Sequence, residues 1–203
     1  PPPGGTAGWA GAAADPETGM LYIPSRNQAS VIGLYAPDPS LGASMAYTHG
    51  APEAQRMEQL RRGIRTGPQM PQGLPLFKPP YSRMTAIDMN TGDFAWVVPT
   101  GNGDRYRRHR LLRDLDLPPL GGDNGSNGPL LTKTLLIYCL TAGSSTGGPR
   151  LVAYDKMSGS ELGSVDLPAG AIGTPMTYML DSKQYIALTV GGGPRLVAFA
   201  LPE

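Results

Sequence analysis

The sequence holds one cysteine, Cys139, so neither an internal disulfide nor a cysteine-based zinc site can be built from it. Charge is scarce too: 16% of the 203 residues are charged, and 17 Lys+Arg stand against 16 Asp+Glu. A net charge of +1 gives no global field for nucleic acid or anionic lipid, and no nucleic-acid partner is expected. The longest apolar runs, such as Leu135 to Leu140, reach about six residues, against the ~20 that a membrane-crossing helix requires. His49 and His109 have no partner at metal-ligand spacing, which argues against zinc. The chain opens on Pro1-Pro2-Pro3-Gly4-Gly5 with neither Met nor a basic or hydrophobic leader, and the expectation is a cut made inside a longer protein.

What is plentiful is glycine and proline, 28 and 22 residues, which interrupt regular structure and exclude long helices. Between them recur strand-sized apolar segments: Met20 to Ile23, Arg83 to Ile87, Phe94 to Val98, Leu135 to Leu140, Leu151 to Tyr154, Tyr185 to Val190 and Leu196 to Ala200. Runs of this length, bounded by turn residues, predict an all-β chain of hairpins. The buried run around Cys139 reads as core, its thiol inert. One stretch differs. Glu53 to Arg62 follows Pro52, stops before Gly63 and consists of good helix formers, so a short helix is expected in an insertion over about 50–80. A loop is expected over about 101–127.

The informative feature is a repeat of the form A-x-D-x-x-[ST]-G, at Ala13 to Gly19, Ala86 to Gly92 and Ala153 to Gly159. Its aspartates, at 15, 88 and 155, stand 73 and 67 residues apart. Asp and Ser/Thr side chains bond the amides of a tight turn, and the glycine supplies positive φ at its end. In the middle copy Trp96 follows at a fixed offset, where its ring can lie on the next sheet and its indole N–H can reach a backbone carbonyl. Units that each need a neighbour to bury a face describe a β-propeller. Read as successive sectors separated by insertions, the three copies predict roughly three blades.

From Ala86 to Trp96, including Asp88, Thr91 and Gly92, the sequence resembles the tryptophan-docking motif of the pyrroloquinoline quinone (PQQ) dependent dehydrogenases. The flanking runs Gly73 to Tyr81, Leu115 to Gly121 and Gly128 to Thr132 resemble the same family. The closing segments Thr174 to Tyr178, Lys183 to Ile186, Gly191-Gly192 and Ala198 to Pro202 resemble its membrane-associated glucose dehydrogenase branch and that branch's soluble relatives. The resemblance implies that residues 1–203 are the C-terminal segment of an eight-bladed quinoprotein propeller, a partial β-propeller with loop and short-helix insertions. Gly8-Trp9 resembles the Asn-Trp pair through which the family reaches PQQ, which makes Trp9 and Gly8 the implied cofactor contacts, with Gly8 in the place of Asn. Gly191-Gly192-Gly193 stands where the glucose branch has Gly-Gly-His, and Gly163 stands where the third docking motif would carry Trp.

The family's chemistry, as the resemblance implies it, uses a Ca²⁺ ion to polarise the quinone and an Asp as general base while hydride leaves the carbinol carbon. The metal ligands and the catalytic base are expected upstream of Pro1, with no catalytic residue and no metal ligand in this chain. Asp15, Asp88 and Asp155 occupy turn positions and are expected to be structural. The arginines between Arg105 and Arg113 are interleaved with Asp104, Asp114 and Asp116 and read as a solvated loop. Two functions follow. One is PQQ-dependent oxidation of an alcohol or sugar, with electrons passed to a quinone or cytochrome, expected in the periplasm, with inner-membrane association to come through a missing N-terminal segment. The other is a non-catalytic PQQ-like repeat propeller serving as a binding scaffold. The runs Pro79 to Asp88 and Gly173 to Tyr178 favour the enzyme, for which the isolated chain would be inactive without the rest of its propeller.

Overall fold

The computed structural model describes residues 7, 10–28, 33–37, 40, 42, 44–49, 69–125, 127–193 and 195–200. The chain divides into two compact units, one of Pro1–Gly5 with Gln28–Phe77 and one of Thr6–Asn27 with Lys78–Glu203. The larger unit begins with β1 (Ala13–Asp15) and β2 (Met20–Arg26). The smaller one holds β3 (Leu34–Tyr35) and β4 (Thr48–His49), paired antiparallel as Leu34↔His49 and Tyr35↔Thr48. The stretch Gln28–Phe77 of the smaller unit overlaps the insertion expected over about 50–80. The helix expected over 53–62 lies outside the described residues.

The larger unit resumes with β5 (Ser82–Asp88) and β6 (Phe94–Pro99), then β7 (Leu130–Leu131), β8 (Leu135–Leu140), β9 (Arg150–Asp155), β10 (Glu161–Asp166), β11 (Ala171–Leu180), β12 (Lys183–Val190) and β13 (Arg195–Ala200). These form a four-stranded sheet β1-β2-β5-β6, a second β7-β8-β9-β10 and a three-stranded sheet β11-β12-β13. Every pairing is antiparallel. The segment expected as a loop over 101–127 contains one helical turn, Asp104–Arg107. Among the described residues no helix is long and apolar enough to cross a membrane.

The three signature turns do not mark three successive sheets. Asp15 closes the β1–β2 hairpin and Asp88 the β5–β6 hairpin of the same sheet, where Met20 pairs with Asp88. The 73-residue spacing thus lies within one sheet and is filled by the inserted unit. Only the step from Asp88 to Asp155 joins equivalent turns, β5–β6 and β9–β10. Turn chemistry explains the ambiguity, since the same five-residue closure serves either hairpin. In all three the glycine N–H donates to the aspartate carbonyl, Gly19 to Asp15 at 2.9 Å, Gly92 to Asp88 at 2.7 Å and Gly159 to Asp155 at 2.8 Å.

Packing follows the period-2 alternation of strands. In the first sheet Ala13, Tyr22, Ala86 and Trp96 lie in one row across the four strands. The corresponding row of the second sheet is Leu130, Ile137, Ala153 and Gly163. Both sheets carry the same irregularity, between Ala86 and Ile87 and between Glu161 and Gly163, which sets Trp96 and Gly163 in equivalent places. Strand β8 is buried on both faces. Leu136, Tyr138 and Leu140 join Tyr22, Met84 and Ala86 of the first sheet in one core, while Ile137 and Cys139 join Leu188 and Val190 of the third in another. Each large apolar side chain so buried contributes about 1.5–3 kcal/mol.

Candidate functional site

The openings of the inner strands bring together the polar groups that the core rejects. Asn127, Gly128 and Pro129, all buried, lead into β7. A Cβ at Gly128 would lie 2.4 Å from the Ala10 carbonyl oxygen and 2.4 Å from Thr174 Oγ1, so only glycine lets these three segments converge. Thr174 Oγ1 donates to Ala10 O at 3.5 Å. Beside them, Asn127 Nδ2 donates to Cys139 O at 2.9 Å, while Asn127 Oδ1 is buried without a partner among the described residues. An orphaned amide oxygen costs about 1–3 kcal/mol, which makes it a candidate acceptor for a bound donor.

A polar framework behind this point holds the loop from 100 to 128. Asn124 Nδ2 donates to Ser25 O at 3.2 Å, and Arg26 Nη2 donates to the carbonyls of Asn124 and Gly125, each at 2.9 Å. Ser82 Oγ and Thr100 Oγ1 are 2.6 Å apart, and the Gly122 N–H donates to Ser82 Oγ at 2.6 Å. The Asp123 carboxylate accepts the Gly103 N–H at 3.0 Å, and burial pushes its pKa up. Tyr81 and Tyr106 meet at 4.2 Å between ring centres, with the Arg105 guanidinium 4.4 Å over Tyr106. The basic stretch is thereby divided: Arg107 donates to Asn102 O at 3.1 Å and to Pro118 O at 2.7 Å, and Arg113 pairs with Asp114 at 3.3 Å.

Gly8 and Trp9 lie outside the described residues, between Ala7, bridged to Ser25, and Ala10. The docking residues sit at the other end of the strands. Asp88 Oδ1 accepts the Asn90 N–H at 2.8 Å, Thr91 Oγ1 accepts the Asp93 N–H at 3.2 Å, and Gly92 takes φ 81°. Ala86 is fully buried. Trp96 reaches across to the second sheet and donates its indole N–H to Lys156 O at 3.1 Å, and a Cβ at Gly159 would fall 2.7 Å from its ring. Tyr22 lies 5.8 Å from the same ring.

One contact at this end carries no local sequence signal. Lys156 Nζ donates to Asp15 Oδ2 at 2.6 Å, joining turns 141 residues apart, with both side chains nearly buried. The hydrogen bond from Lys156 holds the Asp15 carboxyl at a pKa of about 2 and raises that of Lys156. Asp155 accepts the N–H groups of Met157 and Ser158 at 3.0 and 2.8 Å. The three signature aspartates are committed to turns or to this pair. Burial pushes the Cys139 thiol up to about 12, which leaves it unreactive. Among the described residues no three His, Cys, Asp or Glu side chains converge as a metal site would require.

Residues 1–186 match the family described as "PQQ: Glucose/ethanol/alcohol dehydrogenase, beta-propeller domain". The chain belongs to this family. Among similar proteins of this quinoprotein family, the quinate/shikimate dehydrogenase (quinone) of Acinetobacter baylyi is 34% identical over 144 residues, covering 64% of this chain and 17% of that protein. The glycerol dehydrogenase large subunit of Gluconobacter thailandicus is 29% identical over 224 aligned positions, covering 98% of this chain and 29% of that protein. The chain thus spans less than a third of either relative. The quinohemoprotein alcohol dehydrogenase of Comamonas testosteroni superposes with a TM-score of 0.55 at 23% identity, covering 95% of this chain and 23% of that one. The sheets are accordingly blades of a quinoprotein β-propeller, two of four strands and one of three.

Proposed function

We propose that the chain is a blade segment of a PQQ-dependent dehydrogenase that oxidises an alcohol, sugar or polyol and passes the electrons to a quinone or cytochrome. The observation that carries this reading is the family match over residues 1–186. The names of the relatives, which include a quinate/shikimate and a glycerol dehydrogenase, favour it over a non-catalytic scaffold. We assign the protein to the periplasm, as the resemblance to the PQQ-dependent dehydrogenases implies.

The described residues fit the edge of a flat polar cofactor. Asn127 Oδ1 is a buried acceptor without a partner among the described residues, and Thr174 Oγ1, which the missing side chain of Gly128 lets approach Ala10, can donate or accept. This set is uncharged, so it suits the ring system and does not supply a calcium site. We assign the Ca²⁺ ligands and the general base to other parts of the propeller, and Trp9 with Gly8 to the cofactor wall. When bound, PQQ supplies the two-electron acceptor for the carbinol. The chain's own residues hold and shield it: Asn127 accepts a hydrogen bond, Thr174 orients an oxygen, and the apolar cores behind the inner strands exclude water. At the opposite end, Ala86, Asp88, Thr91, Gly92 and Trp96 dock one blade on the next.

The test is dye reduction by the protein that carries this chain, loaded with PQQ and Ca²⁺ and offered alcohols, sugars and polyols. PQQ-dependent turnover of at least one of these classes is expected, and its absence with all of them would defeat the proposal.

A further inference from the structure

We infer that Asn124 is a positioning residue of the cofactor edge, which ties the two segments that carry that edge, one ending at Ala10 and one running into Asn127 and Gly128, to the end of strand β2. This rests on the quinoprotein reading and adds to it a residue that acts through its neighbours.

The two segments meet at Ser25 and Arg26, the last residues of β2. Ser25 forms an antiparallel bridge with Ala7, three residues before Ala10, whose carbonyl oxygen faces Gly128 and accepts from Thr174. The carbonyl of the same Ser25 accepts from Asn124 Nδ2 at 3.2 Å, three residues before Asn127. Arg26 adds its Nη2 to the carbonyls of Asn124 and Gly125. On its other side the loop is fixed to the second blade. Asn124 bridges Leu140 at the end of β8, and the Asp123 carbonyl accepts the N–H and the hydroxyl of Thr141 at 2.7 and 3.0 Å. Asn124 thus links both blades at the point where the candidate edge is assembled.

The hydrogen bonds that end on its amide run in one direction. The Gly122 N–H donates to Ser82 Oγ at 2.6 Å, Ser82 Oγ lies 2.6 Å from Thr100 Oγ1, the Thr100 hydroxyl donates to Asn124 Oδ1, and Asn124 Nδ2 donates to Ser25 O. A backbone N–H can only donate and a carbonyl only accept. The two ends of the chain therefore fix the sense of every link between them. The Asn124 amide is left one orientation, because turned over it would set its oxygen against the Ser25 carbonyl. Ser82 and Thr100 are 1% and 0% exposed, so water does not compete for these links, and each polarises the next. The chain sets the angle at which the loop leaves the first blade and enters β7. Without the Thr100 hydroxyl the amide loses that constraint, and a shifted loop carries Asn127 and Gly128 with it.

The test titrates the protein carrying this chain with PQQ in the presence of Ca²⁺, follows uptake by the absorbance of PQQ itself, and records thermal unfolding of the apo and loaded forms. Asn124→Ala should weaken PQQ binding about 10- to 100-fold, as loss of a group that orients a ligand-holding residue does. Thr100→Val keeps the shape and removes the donor, and should weaken binding about 3- to 10-fold. Thr100→Ser restores the hydroxyl and should bind as the wild type does. The rise in Tm on loading should shrink in the same order. A residue that served folding alone would lower both Tm values together and leave the affinity for PQQ unchanged. Unaltered affinity in either Asn124→Ala or Thr100→Val would therefore overturn the inference, as would a loss in Thr100→Ser equal to that in Thr100→Val. Should Asn124→Ala not fold, the two Thr100 variants decide. Failure of the wild type to take up PQQ would defeat the quinoprotein reading, whereas uptake without loss in the variants would defeat only the role of Asn124.

Discussion

The joint between the first and second blades and the joint between the second and third share a register but are closed by different means. At the first, the row Ala13, Tyr22, Ala86, Trp96 ends in an aromatic ring that spans the gap and bonds Lys156 O. A buried ion pair, Asp15 with Lys156, lies beside it. At the second, the equivalent row ends in Gly163, where a Cβ would meet nothing within 4 Å. All of β10 is exposed. The second joint is held by apolar side chains, Ile137, Cys139, Leu151, Leu167, Leu188 and Val190. One fold thus tolerates a polar, directional closure and an apolar, undirected one. The first fixes the angle between blades, and the second relies on filled volume.

The largest way to break this contrast is Trp96→Ala. It should destabilise the protein carrying this chain by about 3–5 kcal/mol in denaturant unfolding, as truncation of large packed aromatic residues does. An unchanged midpoint would show that the ring is not what closes the first joint. A smaller effect is expected from pH. The Asp15 pKa is depressed to about 2, so its contribution is present above the ordinary carboxylate value near 4 and is lost as pH falls toward 2. Acid unfolding of Asp15→Asn should accordingly be less steep between about pH 4 and 2 than that of the wild type; identical acid profiles would rule out the pair as a source of acid sensitivity. The smallest effect belongs to the second joint. Gly163→Trp places a ring where the described residues offer no contact, and a change within about 0.5 kcal/mol is expected. A stabilisation comparable to the loss in Trp96→Ala would mean that the second joint only lacks its ring.

The strands and turns were legible because their signals are local. Alternation from Arg83 to Ile87 and the Asp88 and Asp155 signatures mark hairpins whose hydrogen bonds close within five residues. Which hairpin a signature closes was not legible. Asp15 carries the same turn chemistry as Asp88 and yet ends a different pair of strands, since strand order depends on contacts far apart in sequence. The pairing of Leu34 with His49 was not legible for a similar reason, because nothing near either residue announces it. At the site, the glycines could be noticed as glycines, but the convergence of Ala10, Gly128 and Thr174 could not. Nor could the salt link of Asp15 with Lys156, which only the packing of two blades creates.

The seating of the Trp96 ring on Gly159 makes neighbouring signatures interdependent. The final glycine of one copy serves its own turn through its backbone and the preceding blade through its missing side chain. A substitution there would be felt by a residue 63 positions earlier, so a blade of this kind cannot be exchanged alone: its turn has to be chosen together with the outer strand of the blade before it.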